Sequence, residues 1–575
     1  MKKLIILFAL FTCCFQLLSL NCVAQTPDWI WAKSPSTAHY YEDQGRSIVT
    51  DASGNSYITG YFVSHHLVFG SITLTNASDS TYIYPFDLFL VKYDINGNVL
   101  WAKSAGGKGD DEVFSAAINA SGDIYVTGFF DSPVFPIGPD TLMCNGEYYT
   151  TIFLAKYDTS GNVLWAKSIR GGKYLDDGLT HFSSVAVDAS GNAYLAGYFD
   201  TDSITFGGDT LKNAGGYTIF LAKYDAGGNV MWAKKAEGTS DMDFAYSVAA
   251  DAQGNAYITG SFSDSLIIFG STTLTNTNPY NQNVFLVKYD TYGNVLWAKC
   301  AGSMGSYDDQ ANSVAVDTSG NVYITGYFDS PILTFDFDTL IRGAGAHNIF
   351  LAKYDKNGNV LWAKNAVGLN IADASSVTVD AAENSYITGG FGPSTITFGF
   401  ITLSATGTED IFVAKYDPGG NVIWAKSDAG SVGDESGGLS IALDTLGNTY
   451  ITGCFGNETY NGGDTITFGT TSLTNAGWSN TFIAKLYYNK IIDVINEQEN
   501  SLNLSVYPNP TTNNLIIESP QSAVIEITDV QGQLIKTLTS TDNKTIIDVS
   551  AFASGVYFIK ATTEKGVVIK KFIKE

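Results

Sequence analysis

Ser313-Val314-Ala315-Val316-Asp317-Thr318-Ser319-Gly320-Asn321-Val322-Tyr323-Ile324-Thr325-Gly326-Tyr327-Phe328 decides the fold. Two short runs rich in β-branched and aromatic residues flank a Gly-Asn turn signal, which reads as strand, tight hairpin, strand and carries no helical periodicity. Further on, Ile349 to Tyr354 and Asn359 to Lys364 repeat the device around Asp355-Lys356-Asn357-Gly358, which suits a type I turn closed by a glycine in the left-handed region. One unit therefore holds four strands: 313–316, 322–328, 349–354 and 359–364, designated A to D.

The unit recurs. Trp-Ala-Lys returns with its Trp at Trp31, Trp101, Trp165, Trp232, Trp297, Trp362 and Trp424, a period of about 65 residues, in the range that marks solenoids, propellers or arrays. The B-strand tyrosine keeps step at Tyr57, Tyr125, Tyr194, Tyr257, Tyr323, Tyr386 and Tyr450, which makes seven units. Four-stranded antiparallel sheets repeated seven times predict an all-β, seven-bladed β-propeller. Its ends agree: the seventh unit stops after Thr481 to Lys485, with no Trp-Ala-Lys strand following, while Trp29-Ile30-Trp31-Ala32-Lys33 stands before the first A strand. Residues 29–33 are expected to complete the seventh blade and remove two open sheet edges.

The stretch Val185-Ala186-Val187-Asp188-Ala189-Ser190-Gly191-Asn192-Ala193-Tyr194-Leu195-Ala196-Gly197, followed by Phe220-Leu221-Ala222-Lys223-Tyr224-Asp225-Ala226-Gly227-Gly228-Asn229-Val230, resembles the bacterial seven-bladed propeller repeat family labelled SBBP. The likeness covers residues 29 to 485 and rests on repetition. It implies an extracellular repeat protein and no defined reaction. WD-type and kelch signatures are absent, and the A–B hairpin also resembles NHL repeats.

Residues 1–24 read as a secretory signal: Lys2 and Lys3, then an apolar stretch, then Cys22-Val23-Ala24 as a small-x-small cleavage site. The propeller is expected over 25–488, a linker over 489–500 and a small β-sandwich over 501–575. Tyr507-Pro508-Asn509-Pro510, Gly555-Val556-Tyr557 and the Lys-rich finish resemble the type A C-terminal sorting domain of the Bacteroidetes type IX secretion system. The resemblance implies the type IX machinery as a partner, passage through the periplasm and across the outer membrane, then release or surface attachment. No transmembrane segment is expected once the signal is removed. Only Cys144, Cys300 and Cys454 remain after it, too few for a disulfide framework, and they read as small buried hydrophobes.

The chain has 575 residues and a net charge of −25. Residues 501–575 hold seven Lys and seven acids and residues 1–25 only Lys2 and Lys3, so the 50 acids and 23 bases between them leave −27 on residues 26–500. Nucleic acid is excluded as an expected partner, because a polyanion needs a basic surface. Acids recur before the A strands: Asp43 (with Glu42), Asp111 (with Asp110), Asp177, Asp243, Asp309, Asp373 and Asp434. In a propeller these connections reach one face near the channel, so this ring is a candidate ligand or cation surface, solvation or inter-blade hydrogen bonding being the plain alternative. Arg46, Arg170 and Arg342, the three arginines of the chain, are expected in loops of the same face, and their convergence on an acidic sugar would resemble a sialidase.

The Asp-x-x-Gly-Asn turns are the candidate calcium positions, but each offers one carboxylate where calcium takes several oxygens, and turn geometry accounts for them. No other cofactor is expected. The recurring Trp reads as packing between blades. The B–C excursions, with Phe-Gly at Phe69, Phe206, Phe269, Phe398 and Phe468, read as a binding surface or a second structural layer. Histidines His39, His65, His66, His181 and His347 lack metal-ligand spacing, His65 and His66 being expected on opposite faces of a strand, and there is no Gly-x-Ser-x-Gly elbow. The expected function is a secreted or cell-surface binding or adhesion module for a glycan, protein or cation. The alternative is a carbohydrate-active enzyme, a hydrolase or lyase acting at the channel mouth.

Overall fold

The computed structural model describes the chain from residue 27 onward except 38–41, 79–84, 145–149, 172–182, 214, 239–241, 277–280, 303–306, 431–436, 457–462, 476, 488–503, 519–521, 530–533, 541–542 and 564–565. The signal segment and the linker lie outside the described residues. The chain divides into two compact units, Met1–Tyr488 and Asn489–Glu575. The described residues form strands and no helix.

The first unit contains seven four-stranded antiparallel sheets, two of them extended to six strands by a neighbouring hairpin. One sheet runs Asp43–Thr50, Ser56–Phe62, Asp87–Tyr93 and Val99–Ala105. Its two middle strands are buried along their whole length, which is why they read as near-continuous apolar runs and not as an alternation. The A strands are longer than the sequence runs suggested, Asp309–Val316 where 313–316 was expected, because a bulge between Ala311 and Ser313 hides the continuation from the period-2 pattern. The last sheet comprises Gly437–Leu443, Thr449–Gly456 and Ser479–Tyr487, and its outermost strand is Asp28–Lys33, antiparallel with Trp31 opposite Lys485 and Ala32 opposite Ala484.

Consecutive sheets share apolar cores, and the seventh and first do as well, through Trp31, Tyr450 and Ile483 against Ile48, Ile58 and Phe62. A hydrogen bond repeats at the same junctions. The hydroxyls of Ser47, Ser115, Ser184, Ser247, Ser313, Ser376 and Ser440 each accept the backbone N–H of the next A strand at 3.1–3.4 Å, and Ser440 accepts from Ile48.

The recurring Trp, Tyr and Lys form one device per unit, joined by the turn Asp in six of the seven and by Asn119 in the second. Trp101 lies edge-on to Tyr57 at 5.9 Å and donates its indole N–H to Thr159 O in the next unit. Its ring covers Gly161, whose φ of +78° and whose closeness to the indole, 3.0 Å for an added Cβ, exclude other residues. Lys92 Nζ stands 4.7 Å over Tyr57 and 3.4 Å from Asp51. Both Asp51 oxygens are spent on Ser53 N, Asn55 N, Asn55 Nδ2 and Tyr57 OH, the turn geometry the motif encodes. Trp424 is the exception: among the described residues its indole N–H has no partner, because strand Asp28–Lys33 arrives without a preceding C–D turn. Lys426 Nζ reaches Pro27 O at 2.6 Å in its place.

Each B–C excursion is a short hairpin, as in Ser203–Phe206 with Asp209–Lys212. Six of the seven pair with the tail of the preceding unit's outermost strand, as Arg170 with Thr205, Ala366 with Phe398 and Ser36 with Val68. They are built as a second structural layer.

The second unit has two antiparallel sheets, of three strands (Ser505–Tyr507, Asn514–Glu518, Lys544–Asp548) and four (Leu534–Ser540, Ala523–Asp529, Gly555–Thr563, Gly566–Lys574). They share one apolar core that includes Leu515, Ile525, Ile547, Ile559 and Phe572.

Candidate functional site

Aligned by register, the units agree along nearly every inner strand. The B strands carry Gly60, Gly128, Gly197, Gly260, Gly326, Gly389 and Gly453, and two residues later Phe62, Phe130, Phe199, Phe262, Phe328, Phe391 and Phe455. Between that glycine and phenylalanine the agreement stops: the residue is Tyr61, Phe129, Tyr198, Ser261, Tyr327, Gly390 or Cys454. The residue before the one paired with that phenylalanine on the C strand differs in every unit, as Phe86, Thr150, Tyr217, Gln282, His347, Glu409 and Ser479. The bulged residue of the A strand also differs: Arg46, Phe114, Tyr246, Asn312, Ser375 and Leu439. A bulge re-aims a side chain, and these positions share one end of the A, B and C strands.

The divergent residues touch one another within and between units. Tyr61 and Phe86 rings are 4.7 Å apart, and Arg46 lies 5.2 Å over Tyr61, whose hydroxyl donates to Glu42 at 2.8 Å. Tyr198 meets Tyr217 in its own unit and Phe244 and Tyr246 in the next. Ser261 donates to Gln282 at 2.6 Å, and Gln310 to Asn312 at 2.6 Å. Tyr327 stacks on His347 at 4.6 Å and 9°, and His347 Nδ1 is 3.1 Å from Asp373 Oδ1 of the following unit. That hydrogen bond to Asp373 raises the His347 pKa above its ordinary range, against the pull of burial. Burial pushes the Glu112 carboxyl up to about 7, with the Arg46 guanidinium opposing it. Burial likewise pushes the Cys454 thiol up to about 11.

The acids expected in loops are placed otherwise. Asp43, Asp111, Asp243 and Asp309 are the first residues of A strands and are buried, so they are not an exposed ring at a loop surface. They cap the B–C connection: Asp43 accepts from Val63 N, Ser64 N and Ser64 Oγ, Asp111 from Ser132 Oγ, Asp243 from Ser263 N, and Asp309 from Asp329 N and Ser330 N, while Asp111 also accepts from Gly107 N ahead of its own strand. Burial lifts their pKa values, to about 6 for Asp43, 8 for Asp243 and 7 for Asp309, with Asp111 well above its usual range. Asp373 is not equivalent to them, since Ala372 holds that register; it belongs to the divergent set. Asp177 and Asp434 lie outside the described residues, as do His39 and His181.

Two of the arginines depart from the loop expectation: Arg46 is the bulged residue of strand Asp43–Thr50 and Arg170 belongs to the outermost strand Val163–Gly171. Arg342 lies in a loop, after strand Asp338–Ile341, paired with Asp329 at 2.7 Å and lying over Tyr307. They occupy separate units and unlike surroundings. His65 precedes strand His66–Phe69, so alternation does not separate the two rings, which lie 4.2 Å apart. Cys144 is buried, but Cys300 is exposed. Among the described residues no three His, Cys, Asp or Glu side chains gather as a metal site, and no helix is long and apolar enough to cross a membrane.

Sequence reasoning missed Tyr198, Tyr217, Phe244, Tyr246, Tyr327 and Asn312. The signal that finds them is disagreement between units at positions flanked by agreement.

Comparison with known proteins gives two family matches: residues 302–330 match the family described as Beta-propeller repeat, and residues 505–575 the Secretion system C-terminal sorting domain. Among curated proteins, the chain is 24% identical over 433 residues to the uncharacterized WD repeat-containing protein L264 of Acanthamoeba polyphaga mimivirus, covering 64% of this chain and 31% of that protein. It is 24% identical over 401 residues to the regulatory protein FlaEY of Caulobacter vibrioides, covering 63% and 39%. The chain thus spans about a third of the length of these relatives. A Dyadobacter fermentans protein of unknown function aligns over 80% of this chain and 99% of its own, at 10% identity and a TM-score of 0.35. The chain carries a β-propeller repeat of the SBBP type and a type IX secretion sorting domain, and the latter assigns it to the cell surface or the medium by way of the periplasm.

Proposed function

We propose that the chain is a secreted or surface-displayed binding module, in which seven sheets close as a seven-bladed propeller and hold a ligand at the divergent end of the central channel. The serine-to-amide bonds that run from each A strand to the next, the seventh to the first included, support closure. The observation that carries the site is the divergence itself. Positions that pack repeat seven times, whereas the residues beside them at one end of the inner strands are free to differ, and they offer aromatic faces, amides, carboxyls and a guanidinium together, the mixture of ligand sites.

A second reading rests on His347. Held by Asp373 and stacked on Tyr327, it has the geometry of a positioned acid–base group, which favours a carbohydrate-active enzyme. The two readings part on turnover: release of reducing ends or unsaturated sugars by the full chain, abolished by His347→Ala, establishes the enzyme and displaces the binding module.

The test of the main reading compares the full chain with a Tyr246→Ala, His347→Ala, Asp373→Ala triple variant. Both are applied to an oligosaccharide array and an extracellular-protein panel and titrated with calcium. A ligand that binds the native chain is expected to bind the variant at least about tenfold more weakly, a loss of about 1.4 kcal/mol. A ligand held equally by both moves the function away from the channel mouth.

A further inference from the structure

The divergent end is divided by chemistry. On the third and fourth units Tyr198 is a buried hub, with Tyr217 edge-on at 5.5 Å and 89°, Phe244 at 4.8 Å and 70°, and Tyr246 at 6.4 Å and 79°. Those three outer rings are half-buried. On the first unit the Arg46 Nε is buried and, among the described residues, has no hydrogen-bond partner. A buried donor left without an acceptor is costly, so an incoming oxygen is favoured there. Glu42 beside it is already engaged by Tyr61 and Gln44, and Arg46 acts electrostatically on the neighbouring unit's Glu112.

An apolar aromatic set and a set of charged hydrogen-bonding groups at the same end of the strands suit a molecule with a C–H face and a hydroxyl edge, which is the makeup of a pyranose ring. A basic peptide would bring a second cation to Arg46. A polyanionic glycan would meet Glu42, Glu112 and Asp373 on a chain of net charge −25.

We propose that this end of the channel binds a short uncharged oligosaccharide, one pyranose packing its C–H face on Tyr217, Phe244 and Tyr246 while the hydroxyls of another bond to Arg46 and Glu112. This rests on the channel-mouth site of the preceding section and names its ligand class. The aromatic side supplies affinity that salt does not screen, and the Arg46 side supplies orientation.

The test presents the full chain to a printed array of neutral, amino and acidic oligosaccharides and to a lysine-rich peptide, then titrates the best neutral oligosaccharide by calorimetry. Tyr246→Ala and Arg46→Gln are each expected to weaken it about tenfold or more, the amount one stacking or charge-assisted contact supplies, with binding unchanged between low and high salt. Phe244→Leu, which keeps an apolar side chain of similar volume, provides a third reading if either variant melts early. Binding of the peptide or of acidic sugars alone, lost in the same variants, overturns the uncharged glycan and leaves the mouth as the site. Neutral-sugar binding indifferent to all three variants overturns both, and an array with no bound sugar overturns the glycan.

Discussion

The two ends of each A–B–C strand set are made from the same backbone and follow opposite rules. At the turn end, Tyr, Lys and Trp meet in the same geometry unit after unit: Lys Nζ stands 4.7–5.1 Å from its Tyr ring in all seven. At the other end no two units agree in all their side chains. The first end solves a packing problem that every junction poses alike, so its answer is copied. The second faces no such shared problem, so its residues can be spent on a partner.

Variants at the two ends should therefore fail differently. Trp31→Ala removes the indole that covers Gly97 and its bond to Ile95 O, where the seventh and first sheets meet, and should cost about 3–5 kcal/mol by urea denaturation. A small loss there would mean that the junction does not need its Trp. Gly60→Ala would bring a Cβ to 1.8 Å from Gln44 O and should cost about 3 kcal/mol, whereas Gly208→Ala, with nothing within 4 Å, should be near neutral. Equal melting temperatures for the two would refute the close approach.

The buried carboxylates give a pH signature. Burial lifts Asp43 to about 6, Asp87 and Asp309 to about 7 and Asp243 to about 8. The folded chain holds their protons more tightly than the unfolded one, so the stabilisation is complete below the ordinary carboxylate value of 3.8 and is lost as pH rises through the range from 6 to 8. Turn aspartates such as Asp225, held low by Asn229, act oppositely and lose their contribution as pH falls below that value. Melting should therefore occur at higher temperature at pH 5 than at pH 8, and Asp43→Asn should flatten the slope; a higher melting temperature at pH 8 would contradict this ordering.

Ser313→Ala strips the acceptor from Val377 N and should cost about 1–2 kcal/mol in denaturant unfolding. At the divergent end Gln310→Ala, despite its bond to Asn312, should cost only about 0.5 kcal/mol. Were the last two costs reversed, the contrast between the ends would fail.

Much of the fold was legible because repetition amplifies weak local signals. A single Val-Tyr-Ile-Thr run says little, and seven in step place the strands. The strand Asp28–Lys33 was readable by subtraction, from one unit lacking what another region carried in excess. The site was less legible. The acids were assigned to loops because they precede the apolar A-strand runs, yet Asp43 opens a strand and spends its oxygens on Val63 and Ser64. Arg46 and Tyr246 could not be placed from sequence, since a bulge breaks the alternation that assigns a face. Asp373 was chosen for its charge; its partner His347 lies 26 residues earlier, on the neighbouring unit, and only the register joins them.

The pairing of Asp28–Lys33 with Ser479–Tyr487 has a temporal meaning. The first described strand has its partner more than four hundred residues away, so during synthesis it waits until nearly all the repeats have emerged. Contacts of such sequence separation form late and slowly. Each unit can form its own hairpins as it appears, but the last sheet cannot be finished early. The strand that leads the repeats is also the one that ends their assembly.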